Sequence, residues 1–347
     1  MARIRRDGRL AWIEGEGTLI VSSDIHGNLL DLLRLIEIFE KEEDACLLFL
    51  GDMYHGPYLS PTTWAPFVDH LGEFYFDQSP AVFRVYSEFR RQYPDRTLSL
   101  IGNHEHAHIG GPSVAKFTPD EAESFEARLR PSERIDLQMQ LCEWPWMAGA
   151  ACGVAFTHGA PPEQSFTREK VEGESLLWIP SDSWSGLNDG NLLSELLWRR
   201  GSNDKSASAF LSSFNQLAGR EHQVIVHGHE PAHEGFDIEC ERVFNLSTSF
   251  AMRREKKGYL RLDLNASYQD AAALAQCFVP LYGKRSDPVE GFEEDALTLD
   301  GESLFFNDEL GLSEDQTPEQ VSGPNASVHH TPNAPSIAGE EAQRGDG

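Results

Sequence analysis

Five times along this chain a short apolar run breaks into a polar loop that carries Asp, His or Asn beside glycine. Gly17 to Ser23 leads into Asp24-Ile25-His26-Gly27-Asn28. Ala45 to Leu50 leads into Gly51-Asp52, and Thr97 to Ile101 leads into Gly102-Asn103-His104-Glu105. Gly153 to Thr157 leads into His158-Gly159, and Val224 to Val226 into His227-Gly228-His229-Glu230-Pro231. Short apolar runs with such flanks read as buried strands. The intervening segments have helical spacing, as in Leu29, Leu32, Leu33, Ile36 and Phe39. Helices are also predicted over 81–91, 119–129, 132–142, 192–198 and 206–217. The segment 57–78, rich in Pro, aromatics and turn residues, reads as a long irregular loop. Residues 242–246 and 258–264 read as closing strands. Strands alternating with helices predict an α/β architecture, with ligands outside the carboxyl ends of the strands.

Those strand ends hold nearly all the residues that could carry chemistry. Asp24 and His26, two apart in one loop, can grip a cation from one side. Asp52 can bridge two cations through its carboxylate. Asn103, His158 and His229 offer a neutral oxygen and two imidazole nitrogens. Mixed imidazole, carboxylate and carbonyl ligands suit Mn, Fe or Zn better than Ca or Mg. Two such ions about 3.5–4 Å apart activate a bound water and clamp the oxygens of an in-line displacement. Each motif alone occurs by chance in many proteins, and a lone His is more often structural than a ligand. The weight rests on all five in order, each after an apolar run.

The ordered set resembles the calcineurin-like metallophosphoesterase superfamily and, within it, the phosphoprotein phosphatase branch, including its bacterial members. The similarity extends to Asp24 through Arg34, to Tyr93 through Glu105 and to Glu195-Leu196-Leu197-Trp198, and covers about Thr18 to Leu264. The resemblance implies two central mixed β-sheets packed face to face and flanked by helices. It implies that Asp24, His26 and Asp52 hold a first divalent metal, and that Asp52, Asn103, His158 and His229 hold a second, with Mn2+ or Fe/Zn as the ions. It implies His104 as the general acid and a metal-bound hydroxide as the nucleophile, with no phosphoenzyme. A His at the edge of such a centre can carry a proton near neutral pH.

The second motif departs from the family. Where the family has Gly-Asp-x-Val-Asp-Arg-Gly, this chain has Gly51-Asp52-Met53-Tyr54-His55-Gly56-Pro57. The acid that pairs with the family's catalytic histidine is replaced by His55, and its phosphate-binding arginine by Gly56. A cationic His55 cannot serve as that acid, and a neutral one can only accept a hydrogen bond. The lost arginine removes a bidentate phosphate clamp. Glu105, which pairs with that arginine in the family, remains. Arg199 and Arg200 are candidate substitutes, beside the plainer reading of a basic helix end. His227 reads equally as a phosphate contact or as a residue that orients its loop. His106 and His108 crowd the site, and the aromatics of 54–75 either line a substrate groove or pack the loop onto the body.

Charge separates two parts. The formal net charge is 29 − 56 = −27, and Ser286 to Gly347 holds 15 acids against one base, Arg344. That leaves −13 for residues 1–285, the expected catalytic domain. Residues 286–347 form an acidic extension, with a possible hairpin near 296–306 and disorder expected from about 313. The overall acidity argues against a nucleic-acid polymer or an anionic membrane as partner, and what the extension binds is open. Five scattered cysteines and the lack of an apolar leader or a span of about 20 residues fit a cytoplasmic protein. The sequence predicts dinuclear-metal phosphoester hydrolysis of the Ser/Thr protein phosphatase type, acting on a phosphorylated protein. The alternatives are a hydrolase of small phosphoesters or dinucleoside polyphosphates, and a catalytically weak binding protein that keeps the fold.

Overall fold

The structure, a computed structural model, describes residues 1–177 and 191–283 together with two short strands near residue 300. The strands are β1 (Arg3–Asp7), β2 (Leu10–Glu14), β3 (Thr18–Ser22), β4 (Cys46–Phe49), β5 (Thr97–Ser99), β6 (Met147–Ala150), β7 (Val154–Thr157), β8 (Val224–His227), β9 (Phe236–Cys240), β10 (Val243–Leu246), β11 (Gly258–Asp263) and β12 (Phe278–Pro280). The helices are α1 (Leu29–Glu40), α2 (Pro61–Trp64), α3 (Val68–Leu71), α4 (Ser79–Gln92), α5 (Asn103–His106), α6 (Glu121–Glu126), α7 (Pro131–Cys142), α8 (Arg168–Gly173), α9 (Leu192–Trp198), α10 (Asp204–Ala218) and α11 (Ala271–Ala275). One sheet runs β1-β2-β6-β7-β8-β10-β9 and the other β12-β11-β3-β4-β5, and both mix parallel and antiparallel pairs.

The chain divides into two units, Met1–Asp287 and Pro288–Gly347. In the second, Thr298–Leu299 (β13) and Glu302–Ser303 (β14) pair antiparallel. The segment from about 313, expected to be disordered, lies outside the described residues. No described helix is long and apolar enough to cross a membrane.

The two-residue period of the strands builds two cores. Ala11, Ile13, Leu19, Val21, Leu48, Val154, Phe156, Val224, Val226, Phe244 and Leu260 come from both sheets and form one cluster, so the sheets pack face to face. Their sequence neighbours Leu10, Trp12, Ile20, Leu47, Phe49, Ala155, Ile225 and Val243 point the other way and pack under helices. Strands buried on both faces read as unbroken apolar runs, which is why these were legible. On α1, Leu29, Leu32, Leu35 and Phe39 are buried, each contributing about 1.5–3 kcal/mol by burial. Asn28 caps this helix by accepting the Asp31 N–H at 3.2 Å. α10 starts at Asn203, which accepts from Lys205 and Ser206, and stops at Gly219 with φ 63°.

The expectation omits β2, α5, α8 and α11, and it departs from the structure in three further places. β1 and β9 lie at the sheet edges, and their exposed faces remove the apolar signal. β6 and β12 are four and three residues long, too short to show a period. The segment 57–78 is not wholly irregular: Ser60 caps α2 by accepting the Thr63 N–H, Pro61 starts the helix, and α3 follows a single 3-10 turn. There the cap and proline signal prevails over loop composition.

Strand direction assembles the site. β3, β4 and β5 run parallel in one sheet, and β7 and β8 run parallel in the other. Their carboxyl ends deliver Asp24, Asp52, Asn103, His158 and His229 to one place. The His158 ring nitrogen Nδ1 lies 2.9 Å from the Leu50 carbonyl, and the His229 N–H donates to Asp24 Oδ2 at 3.1 Å, so the loops of both sheets are tied together.

Candidate metal centre

Five of the six described non-glycine residues with left-handed backbone sit here: Asp24 (φ 53°), His26 (45°), Asp52 (53°), His55 (65°) and His229 (70°). Such residues cost on the order of 1–3 kcal/mol each and persist only where the surroundings enforce them. The enforcement is visible in backbone bonds from His26 N to Asp52 O (2.8 Å) and from Gly27 N to Met53 O (2.9 Å). Gly51, at φ 110°, has no room for a side chain: a Cβ there would lie 2.8 Å from Gly102 Cα and from His158 Nδ1.

The donor atoms converge on Asp52, which is 2% exposed. Its Oδ2 lies 3.5 Å from His26 Nε2, and its Oδ1 lies 3.4 Å from His158 Nε2. The two oxygens of one carboxylate therefore face two histidines in different loops. Asp24 Oδ1 is 3.8 Å from His26 Nε2, while its Oδ2 accepts from Ser23 Oγ and His229 N. Asn103 Oδ1 is 2.9 Å from His158 Nε2. Asp52, His158 and His229 bring donor atoms within 4.8 Å of one another.

These residues fit divalent cations. The Nδ1 atoms of His26 and His158 face the carbonyls of His55 and Leu50, both at 2.9 Å. A carbonyl only accepts, so Nδ1 carries hydrogen and the Nε2 atoms turn inward, the orientation that metal-ligating histidines take. His229 Nε2 is buried with no hydrogen-bond partner. Burial holds His26 and His229 well below the usual His range, which keeps them neutral. Burial raises Asp24, with Asp52 adding to the effect. For Asp52 burial acts upward, but His158 and His104 prevail and hold it well below the carboxylate range. Burial likewise opposes the charging of His158, yet Asp52 and Asp24 raise it to about 9.

Glu105 braces the centre without touching it. Its carboxylate accepts the N–H groups of Asp52, Met53, Tyr54 and Gly102 at 2.8 to 3.3 Å. Backbone donors thus take the place of the arginine partner that the resemblance supplies. Burial and Asp52 push this carboxyl up to about 7.

His104 sits beside the ligands, with Nε2 3.9 Å from Asp52 Oδ2 and its ring edge-on to His26 at 4.6 Å. His55 does reach it, Nδ1 to Nδ1, at 3.2 Å. His55 Nε2 is 2.8 Å from His108 Nε2, and His108 Nδ1 is 2.7 Å from Glu126 Oε1. Glu121 Oε2 lies 3.0 Å from His104 Nδ1. Sequence reasoning missed Glu121: it is one of several acids in a polar helical stretch, and no spacing marks it.

Other expected contacts point elsewhere. The His227 Nδ1 lies 2.9 Å from Gly228 O, while Nε2, 3.3 Å from Glu239 Oε2, is buried without a hydrogen-bond partner. Arg199 is drawn to Glu163 at 2.8 Å, and His106 Nε2 faces Leu176 O at 2.6 Å. Arg200 pairs loosely with Glu230 at 3.8 Å, and its charge is felt at His229. Lys116, absent from the sequence reading, has Nζ 4.0 Å from the Phe250 ring, and Phe250 packs 4.6 Å from His26. Lys116 is exposed, and its charge lies within the field of Asp52 and Asp24. Of the aromatics, Tyr54 and Trp64 are core, whereas Tyr58, Phe67 and Phe76 are exposed.

The family model for calcineurin-like phosphoesterases matches residues 17–244, and the chain belongs to that family. It is a metal-dependent phosphoric ester hydrolase. A protein serine/threonine phosphatase from Saccharomyces cerevisiae is similar in structure, with TM-score 0.47, 16% identity, and coverage of 71% of this chain and 72% of that one. A cold-active protein-tyrosine phosphatase from a psychrophilic Shewanella species gives TM-score 0.42, 17% identity, and coverage of 76% and 79%. A metallophosphoesterase from Sphaerobacter thermophilus gives TM-score 0.37, 14% identity, and coverage of 76% and 92%. No curated protein matches the chain.

Proposed function

We propose that this chain hydrolyses phosphomonoesters of protein side chains, in the manner of a Ser/Thr protein phosphatase, at a dinuclear metal centre. The observation that carries the metal reading is Asp52, whose two buried oxygens face His26 and His158 separately. Asp24, His26 and Asp52 would hold one ion, and Asp52, Asn103, His158 and His229 the other. The donor set favours Mn2+ or an Fe/Zn pair. When bound, such ions supply Lewis-acid activation of water and neutralise charge on the phosphoryl group.

The chain's own residues do the rest. His104 stands at the edge of the ligand set with Nε2 toward it, placed to give a proton to the departing ester oxygen. Lys116 and Arg200 bring positive charge to the rim in place of the missing arginine. Tyr75 OH donates to the His26 carbonyl at 2.9 Å, and so holds the segment bearing the exposed Tyr58, Phe67 and Phe76 against the site. That rim offers apolar surface to a peptide around a phosphorylated residue.

With Mn2+ the protein is expected to hydrolyse p-nitrophenyl phosphate. Asp52→Asn and His104→Asn should each lower the rate at least about 10²-fold. A phosphopeptide panel should be preferred over dinucleoside polyphosphates. The reverse preference would move the proposal to small phosphoesters, and inactivity with every divalent metal would leave only a binding protein.

A further inference from the structure

Glu121 is 4% exposed, and its side chain lies against the imidazoles rather than the solvent. It is the first residue of α6, where the Asp120 side chain caps the helix by accepting the Glu123 N–H at 2.9 Å. Glu121 N donates to Val114 O at 3.0 Å, and Oε1 accepts the Phe117 N–H at 2.5 Å. Both the backbone and one carboxylate oxygen are thereby fixed. The other oxygen, Oε2, is buried without a formed hydrogen bond and lies 3.0 Å from His104 Nδ1 and 3.5 Å from His55 Nδ1. A buried carboxylate oxygen without a proton donor is costly, so one of these nitrogens must supply it.

The surrounding hydrogen bonds say which. Glu126 accepts from His108 Nδ1, which leaves His108 Nε2 as an acceptor. His55 Nε2, 2.8 Å away, must then carry the hydrogen between those rings. With that hydrogen on Nε2, the His55 Nδ1 turns a lone pair toward His104, and Glu121 Oε2 lies nearer His104 Nδ1 (3.0 Å) than His55 Nδ1 (3.5 Å). The hydrogen facing both Glu121 Oε2 and His55 Nδ1 therefore belongs to His104 Nδ1. That fixes the ring with Nε2 toward the Asp52 carboxylate.

We propose that Glu121 is the positioning carboxylate of this enzyme: it holds His104 by its Nδ1–H so that Nε2 faces the departing ester oxygen. The inference rests on the His104 role proposed above. When the P–O bond breaks, the Nε2 proton passes to the leaving oxygen. The Nδ1 hydrogen stays on His104. His55 receives the same hydrogen from its other side and adds direction without adding negative charge.

Protonation of the leaving oxygen matters most when the leaving group is a weak acid. The test therefore compares phenyl phosphate, which leaves as a weakly acidic phenol, with p-nitrophenyl phosphate, whose nitrophenol leaves readily without a proton. With Mn2+-loaded protein, Glu121→Gln is expected to lower kcat for phenyl phosphate at least about tenfold more than for p-nitrophenyl phosphate. This is part of the 10²–10⁴-fold that proton transfer typically supplies. Metal content should not change, and Glu121→Asp, which restores the charge on a shorter arm, should recover part of the difference. If Glu121→Gln does not fold, the same ratio is read from Glu121→Asp. Equal losses on both substrates would overturn the proposal. So would the loss of a bound ion in Glu121→Gln, which would mean that His55, His104 and Glu121 hold a metal of their own. If the unaltered protein hydrolyses neither substrate, the underlying reading of His104 fails instead.

Discussion

At the scale of single residues, the inward nitrogens of His26 and His158 are set by what their opposite nitrogens touch. The carbonyls of His55 and Leu50 turn the Nε2 atoms of His26 and His158 inward before any ion arrives. The convergence of the six proposed ligands could be anticipated from the sequence because each follows an apolar run and lies beside or near a glycine. Glu121 and Lys116 could not. Each reaches the site through tertiary packing of the stretch from 113 to 126, where acids and a lysine look like ordinary surface. The clearest residue-scale test outside the chemistry is Gly51→Ala. A Cβ would collide with Gly102 and the His158 ring at a φ of 110°. Strain of this kind costs about 1–3 kcal/mol, so the melting temperature should fall and the ion next to His158 should bind more weakly. A variant as stable and as metal-replete as the parent would contradict the packing described here.

At the scale of elements, short loops between well-capped helices and buried strands hold the molecule together. The turn from α10 to β8 is an example. Asn215 Oδ1 accepts from His222 N at 2.8 Å and lies 2.9 Å from His222 Nδ1, while the ring packs 5.0 Å from Phe214. Burial, with Arg220 adding to it, pushes His222 from its ordinary 6.5 down to about 4. The folded state therefore resists a proton that the unfolded chain accepts. The associated stability is complete above pH 6.5 and is lost as pH falls from 6.5 to 4, by about 3 kcal/mol. Urea unfolding across that window should show the loss, and His222→Phe should flatten the slope. An unchanged slope in the variant would assign the acid sensitivity elsewhere. Buried elements were legible where burial was two-sided, as in β3, β4 and β8. Edge strands were not: β1 is Arg3-Ile4-Arg5-Arg6-Asp7, in which only Ile4 is buried.

At the scale of the whole molecule, the first unit outruns the family match. β11 and β12 lie beyond residue 244, yet β11 pairs with β3 and completes the second sheet. A buried ion pair reinforces that closure: Lys257 Nζ lies 2.7 Å from Asp31 Oδ2, and Tyr282 OH donates to Asp31 Oδ1 at 2.6 Å. Residues 1–285 carry a formal charge of −13, and the acids Asp24 and Asp52 sit where cations would compensate them. The remaining −14 belongs to Ser286–Gly347, outside all the site residues. Asp52 would serve both ions, one with each carboxylate oxygen, and counting ions tests this most directly. Elemental analysis of Mn2+-reconstituted protein should find two ions per chain, falling to one or none in Asp52→Asn, with p-nitrophenyl phosphate hydrolysis rising only as the second equivalent binds. Full activity with a single ion per chain, or an undiminished count of two in Asp52→Asn, would contradict the account.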